Sequence, residues 1–288
     1  MSDVGSAGQR FLKGHGTHND FVLLPDVEGL LELDAATVIA LCDRHRGLGA
    51  DGVLRVVPTA LSLEPDVEPL SGEADWFMDY RNADGSLSEM CGNGVRVFVR
   101  YLIEAGLAVG PDVPVATRGG VRLAHVEDDG TIAVEMGAAT LRGNGVATVQ
   151  VGDRQWPALG LEVPNPHAVA LVDDLDEAGR LLDPPLAGPD GTWPDGVNVE
   201  FVRIDEPGHL TMRVFERGVG ETRSCGTGAC AAVVAARLHL GADAPARWDV
   251  DVPGGRLRVT VDSDGSIELA GPAVLVARGH LDLTTLTA

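Results

Sequence analysis

Cys91-Gly92-Asn93-Gly94-Val95 has a second copy in the chain, Cys225-Gly226-Thr227-Gly228-Ala229. Both read C-G-x-G, and the cysteines lie 134 residues apart (91 and 225), close to half of the 288-residue chain. The surroundings correspond as well. Asp75–Tyr80 reads as a strand and Arg81–Glu89 as a polar loop; Leu210–Phe215 reads as a strand and Glu216–Ser224 as a polar loop. After the first motif, Val95, Phe98, Val99 and Leu102 fall at i, i+3, i+4 and i+7, one face of a helix. Ala229, Ala232, Val233 and Ala236 keep the same offsets after the second. Each half is therefore predicted as strand, loop, cysteine, helix. A duplicated unit follows, giving two similar domains related by a pseudo-two-fold axis.

A helix N-terminus carries free N–H groups and the positive end of the helix dipole. A cysteine placed there is expected to have its thiolate stabilised and its pKa lowered. The glycines let backbone donors approach a bound anion such as a carboxylate. Two such ends facing each other would hold one carboxylate, with a thiol on either side of its α-carbon. Inversion by proton transfer needs a base on one face and an acid on the other, and cysteine, at about 8.5 unperturbed, suits both roles. One C-G-x-G alone reads as a tight turn with a buried cysteine. The symmetric pair is what points to a two-base racemase or epimerase.

Composition narrows the chemistry. The net charge of −21, from 22 Lys+Arg against 43 Asp+Glu, repels phosphate backbones, so no nucleic-acid partner is expected. Lys13 is the only lysine, in Phe11-Leu12-Lys13-Gly14. A pyridoxal-phosphate enzyme needs a lysine for its Schiff base, and no phosphate loop of the G-x-x-x-x-G-K-[ST] type occurs. No cofactor is expected. Cys42, Cys91, Cys225 and Cys230 form no C-x-x-C, the histidines lack metal-ligand spacing, and no metal is expected. Met1–Arg10 is small and polar, and no run approaches the roughly 18 apolar residues of a spanning helix. The reading is a cytoplasmic protein with a small-molecule substrate and no membrane partner, a homodimer being the assembly considered.

The expected domains are residues 11–136, with 272–288 returning to them through a last strand near Ala273–Arg278, and residues 137–271. Asp34 is a predicted N-cap for a helix through Cys42, which makes Cys42 a core residue. Pro58–Glu73 reads as an acidic insertion loop, Asp183–Gly196 as a Pro/Gly-rich loop, and Cys230 as packing.

Five stretches together resemble the diaminopimelate epimerase family. Arg81-Asn82-Ala83-Asp84-Gly85-Ser86 with Met90–Gly94 is similar to its first signature, and Phe215–Thr222 with Ser224–Cys230 to its second. Lys13–Gly16 with Asn19–Val22, Asn165–Val169, and Asn198–Phe201 resemble three more motifs. The resemblance implies an α+β fold of two similar domains, each a mostly antiparallel sheet wrapped around a central helix, with the active site between them. It implies conversion of LL-2,6-diaminopimelate to the meso form, in lysine and peptidoglycan biosynthesis. By matched position Cys91 and Cys225 would be the acid–base pair. Asn19, Asn82, Asn93, Asn165, Asn198, Glu216 and Arg217 would bind substrate, with backbone groups of Gly92, Gly226 and Thr227. His167 and Glu216 would tune or orient the thiols. Three positions depart from the pattern: His18 where many relatives have glycine, Gly52 where glutamine is frequent, and Val97 where a cysteine is frequent.

The chemistry of these residues agrees with a substrate bearing two ammonium and two carboxylate ends. Neutral amides both donate and accept, and one arginine suits a distal carboxylate. Taken singly they have other readings: Asn19 and Asn82 as turn residues, Glu216 and Arg217 as a solvated pair, His167 as a packing histidine. Three alternatives stay open: a proline- or hydroxyproline-type racemase, an amino-acid-binding protein without catalysis, and a thiol oxidoreductase.

Overall fold

A computed structural model describes residues 8–286, so the Met1–Ala7 part of the polar N-terminal reading lies outside the described residues. Contacts divide them into two units: the residues through Gly16 with Asp20–Ile132 and those from Pro272, and Thr17–Asn19 with Ala133–Gly271. No helix among the described residues is long and apolar enough to cross a membrane.

The first unit contains strands β1 (Gln9–Gly16), β2 (Asn19–Pro25), β3 (Gly52–Pro58), β4 (Trp76–Asn82), β5 (Asp112–Thr117) and β6 (Gly120–Val126). Helix α1 (Ala35–Cys42) follows β2, and helix α2 (Gly92–Glu104) follows β4. Asp34 caps α1, accepting the Thr37 N–H at 2.8 Å, and Cys42 ends it in the core, as its sequence reading has it. β2 runs parallel to β3, β3 antiparallel to β4, β4 parallel to β5 and β5 antiparallel to β6. The chain returns at its end: β18 (Val274–Leu281) pairs antiparallel with β1, from Gln9↔Leu281 to His15↔Val274.

The second unit holds β7 (Ile132–Ala138), β8 (Thr140–Val151), β9 (Arg154–Val163), β10 (Asn165–Leu171), β11 (Leu186–Gly188), β12 (Asn198–Glu206), β13 (His209–Glu216) and β14 (Gly220–Thr222). Helix α3 (Gly226–Leu240) and strands β15 (Arg247–Val252), β16 (Gly255–Val261) and β17 (Ser266–Gly271) complete it. Its pairings repeat those of the first unit: β10 parallel to β12, β12 antiparallel to β13, β13 parallel to β15, β15 antiparallel to β16. The register repeats too, with Phe21 opposite Gly52 in one unit and His167 opposite Asn198 in the other.

Each unit wraps its strands around one helix. α2 touches β1, β3, β4, β5, β6 and β18; α3 touches β9, β10, β12, β13, β15, β16 and β17. A helix so enclosed is buried on all sides rather than along one stripe. Every residue of α2 from Gly92 to Val99 is buried, and α3 meets the same demand with Ala229, Ala231, Ala232, Ala235 and Ala236. The result is an α+β fold dominated by sheet.

Spacing locates the difference between the units. The starts of β2 and β10 (19 and 165), and of β3 and β12 (52 and 198), are 146 residues apart, whereas the two cysteines are 134 apart. The first unit holds the extra residues between β3 and β4, in the segment read as an insertion. It folds as two 3₁₀ turns, Thr59–Leu61 and Glu68–Gly72, where β12 and β13 are joined by Pro207 and Gly208 alone. Glu64 of this segment pairs with Arg118, which also meets the buried Asp79 carboxylate at 2.5 Å and donates to the Tyr80 carbonyl at 2.8 Å. The insertion is thereby tied to the strand that leads to Cys91.

Candidate active site

The two cysteines are N-caps. Cys91 has extended backbone (φ −143°, ψ 114°) and its Sγ accepts the Gly94 N–H at 3.4 Å; Cys225 (φ −118°, ψ 115°) accepts the Gly228 N–H at the same distance. Sulfur thus takes the place of the usual Ser, Thr or Asp oxygen at the first turn. Both cysteines are reduced, Cys91 half-buried and Cys225 buried. Cys42 and Cys230 are buried, and burial pushes the Cys42 thiol up to about 11.

The expected lowering of the pKa does not hold for Cys225. Burial pushes its thiol well above the ordinary range, followed by the nearby carboxylates of Glu216 and Glu200; the Thr227 hydroxyl and the Gly228 N–H pull the other way and lose. The correction has a plain cause. One N–H stabilises a thiolate by less than full desolvation and two like charges destabilise it.

In the first unit, Gly92 and Asn93 form the opening of α2, both buried. Asn93 Oδ1 accepts from Arg96 Nη2 at 2.7 Å, and Arg96 is itself fully buried. Asn82, at the end of β4, donates its amide to Ser86 Oγ at 2.9 Å across the turn before the motif. Gly52 opens β3, where an added Cβ would lie 2.6 Å from both the Arg81 carbonyl and the Tyr80 ring. A glutamine therefore has no room there. Val97 is fully buried against Gly14.

In the second unit, two adjacent parallel strands aim one polar row at α3. Asn165 and His167 come from β10, Asn198 and Glu200 from β12, in each case two residues apart and so on one face. His167 Nδ1 is hydrogen-bonded to Glu200 Oε1 at 2.6 Å, and Nε2 meets Asn165 Oδ1 at 2.9 Å. Asn198 Oδ1 accepts the Arg217 backbone N–H at 2.9 Å, which ties the start of β12 to the turn after β13. Arg217 is exposed and donates from Nη1 to the Asp195 carbonyl at 3.2 Å. Glu216 accepts from the Thr222 hydroxyl. Gly226 is buried and Thr227 half-buried at the start of α3. Contacts also group Asn19 with this unit, beside Thr17, whose hydroxyl bonds Ser224 at 2.7 Å. Between them His18 has φ +64°, a region that favours glycine, which accounts for glycine at this position in the resembled pattern.

The diaminopimelate epimerase family model matches residues 11–142 and 161–276, and a diaminopimelate epimerase of Streptomyces coelicolor is 56% identical over 94% of this chain and 95% of its own. The chain belongs to the diaminopimelate epimerase family. A diaminopimelate epimerase of Thermobifida fusca is 53% identical over 96% of this family member and 99% of its own length. Solved structures share the fold at low identity. A phenazine biosynthesis protein of the PhzF family from Bacillus anthracis has a TM-score of 0.68 at 18% identity, covering 96% of this chain and 99% of that one. A hydroxyproline epimerase from Agrobacterium vitis has a TM-score of 0.66 at 14% identity, covering 96% and 92%.

Glu200 and Arg96, fully buried charged residues of this epimerase-family chain at its two cysteine-capped helices, escape a reading of the sequence alone. Each left a signal. Glu200 follows Asn198 at a spacing of two in a strand whose intervening positions, Val199 and Phe201, are apolar, and Arg96 interrupts the apolar run from Val95 to Val99.

Proposed function

We propose that this chain is a cofactor-independent isomerase that converts LL-2,6-diaminopimelate to the meso form, serving lysine and peptidoglycan biosynthesis in the cytoplasm. The observation that carries the reading is the pair of cysteine-capped helices, α2 and α3, in two units of matching topology. High identity to two enzymes named diaminopimelate epimerase supports the substrate over a proline or hydroxyproline one. We read its two domains as 11–136 with 272–288, and 137–271.

Cys91 and Cys225 act from opposite faces of the α-carbon. The thiolate of one removes the α-proton as the thiol of the other delivers a proton, and the roles reverse for the return reaction. Free N–H groups at the two helix ends stabilise the substrate carboxylate as carbanion character develops. Asn19, Asn82, Asn93, Asn165 and Asn198 bind the ammonium and carboxylate groups, Arg217 takes the distal carboxylate, and His167 and Glu216 set the state of the thiols. The enzyme acts on this small molecule as a homodimer.

The reading is tested by deuterium incorporation at the α-carbon of LL-diaminopimelate in D₂O, under reducing conditions and without added cofactor. Exchange with epimerisation is expected; no exchange by the reduced protein sinks the substrate assignment, and a panel of proline and hydroxyproline isomers then follows.

A further inference from the structure

Glu200 is fully buried, as is His167, and the two are joined through a 2.6 Å bond. Because a carboxylate has no proton to give, the ring's Nδ1–H must be the donor. The second carboxylate oxygen, Oε2, is buried and has no hydrogen-bond partner among the described residues. A buried carboxylate with one oxygen unsatisfied costs several kcal/mol in a merely structural role, so it calls for an explanation. Its location supplies one. Oε1 lies 2.7 Å from the point that a Cβ on Gly228 would occupy, and Gly228 is the residue whose N–H bonds Cys225 Sγ. Glycine is required there so that the carboxylate can press on the first turn of α3. The first unit shows the same geometry without the charge: Leu54 Cδ2 lies 3.4 Å from the corresponding point on Gly94, and Phe21 stands where His167 does.

We propose that Glu200 is a positioning residue for the Cys225 thiol: held by His167, it sets a buried negative charge against the first turn of α3, so that Cys225 rests carrying its proton. The inference rests on the reading of Cys91 and Cys225 as the acid–base pair. A two-base epimerase has two free forms, with the transferable proton on one thiol or on the other. Glu200 biases the enzyme toward the form with the proton on Cys225. The groups acting on this thiol are the carboxylates of Glu216 from β13 and Glu200 from β12, with the Thr227 hydroxyl and Gly228 N–H of α3 itself, while His167 from β10 holds Glu200. Of these only Glu200 is joined to a fully buried partner and pressed against the helix backbone.

The test uses the full-length reduced protein and iodoacetamide across a pH series, with alkylation at Cys91 and Cys225 quantified separately by peptide mass spectrometry. Removing the negative charge stabilises the thiolate. In Glu200→Gln the Cys225 midpoint is therefore expected about one pH unit lower than in wild type, while the Cys91 midpoint stays in place. The matching limb of the kcat/KM profile should move with it, and kcat should fall more than KM rises. Glu200→Met, apolar as Leu54 is, carries the same expectation should the glutamine variant fold poorly, and Glu200→Asp, which keeps the charge, should hold the wild-type midpoint. A Cys225 midpoint unchanged in the neutral variants, or equally lowered in the aspartate variant, overturns the proposal. Wild-type exchange of the α-proton is read separately, so failure of the epimerase reading is distinguishable from failure of this one.

Discussion

The strands behind α2 put Phe21 and Leu54 at the register positions where the strands behind α3 put His167 and Glu200. The helix caps are alike: the same extended cysteine, the same 3.4 Å N–H to sulfur, the same C-G-x-G. What differs is the wall behind the cap, apolar in the first unit and a buried, hydrogen-bonded His167–Glu200 pair in the second. The two frames are therefore equivalent in pairing and cap, and unequal at two strand positions. Under the proposed two-base mechanism the inequality has a use, because two thiols with identical surroundings would share one proton without preference.

The comparison breaks most visibly through the cysteines. Cys91→Ala and Cys225→Ala should each lose epimerisation by on the order of 10³-fold. Each should still wash out the α-proton of one stereoisomer, and the two variants should prefer opposite isomers, as proton NMR in D₂O would record. Loss of exchange from both isomers in either variant would mean that one thiol does all the abstraction.

A smaller contrast is expected at the glycines facing the two walls. An added Cβ at Gly228 meets Glu200 Oε1 at 2.7 Å and Cys225 at 3.3 Å, whereas at Gly94 it meets Leu54 and Cys91 at 3.4 Å. Gly228→Ala should lower kcat/KM by roughly 10²-fold, since about an ångström of misplacement costs that much, and Gly94→Ala by less than tenfold. Equal losses in the two variants would argue that Glu200 does not crowd the cap.

Stability sharpens the comparison further. Glu200→Leu alone leaves His167 buried without its acceptor and should cost about 3 kcal/mol in urea unfolding. Pairing it with His167→Phe recreates the wall of the first unit, and the double variant should unfold within about 1 kcal/mol of wild type while remaining catalytically impaired. If the double variant is as unstable as the single, the His167–Glu200 pair is indispensable to the second core.

The smallest effect is expected in acid. Burial alone would raise the Asp20 carboxyl, but hydrogen bonds from Arg44 and Lys13 outweigh it and bring it down to about 2. A depressed carboxylate stabilises the fold above its unfolded value and loses that contribution as protons bind. The urea midpoint of wild type should therefore fall between about pH 4 and 2, and fall less in Asp20→Asn. Parallel pH dependence in the two proteins would show that Asp20 contributes nothing there.

Local rules made much of this molecule legible. The Asp34 cap, the end of α1 at Cys42 and the helices after both cysteines rest on neighbours within a few residues, and the sequence carries those rules openly. The His167–Glu200 pair joins residues 33 apart whose meeting depends on a parallel register, and neither side chain announces the other. The Cys225 pKa escapes the motif for a related reason. The helix end is visible in the motif, but the burial and the two carboxylates that overcome it exist only after strands from elsewhere in the chain have packed. Gly52 and His18 stand in the sequence only as departures from the family pattern; the Tyr80 ring and a left-handed backbone give them meaning.

The pairing of β1 with β18 sets the order of synthesis against the order of completion. The second unit is continuous from Ala133 to Gly271 apart from Thr17–Asn19, whereas the first cannot close its edge until Leu281 has been made. At roughly 5–20 residues per second, the ribosome needs on the order of ten seconds or more to travel from the end of the first segment to that strand. During that interval β1 waits with its outer backbone groups unpaired, and the half of the protein that is begun first is the half that is finished last.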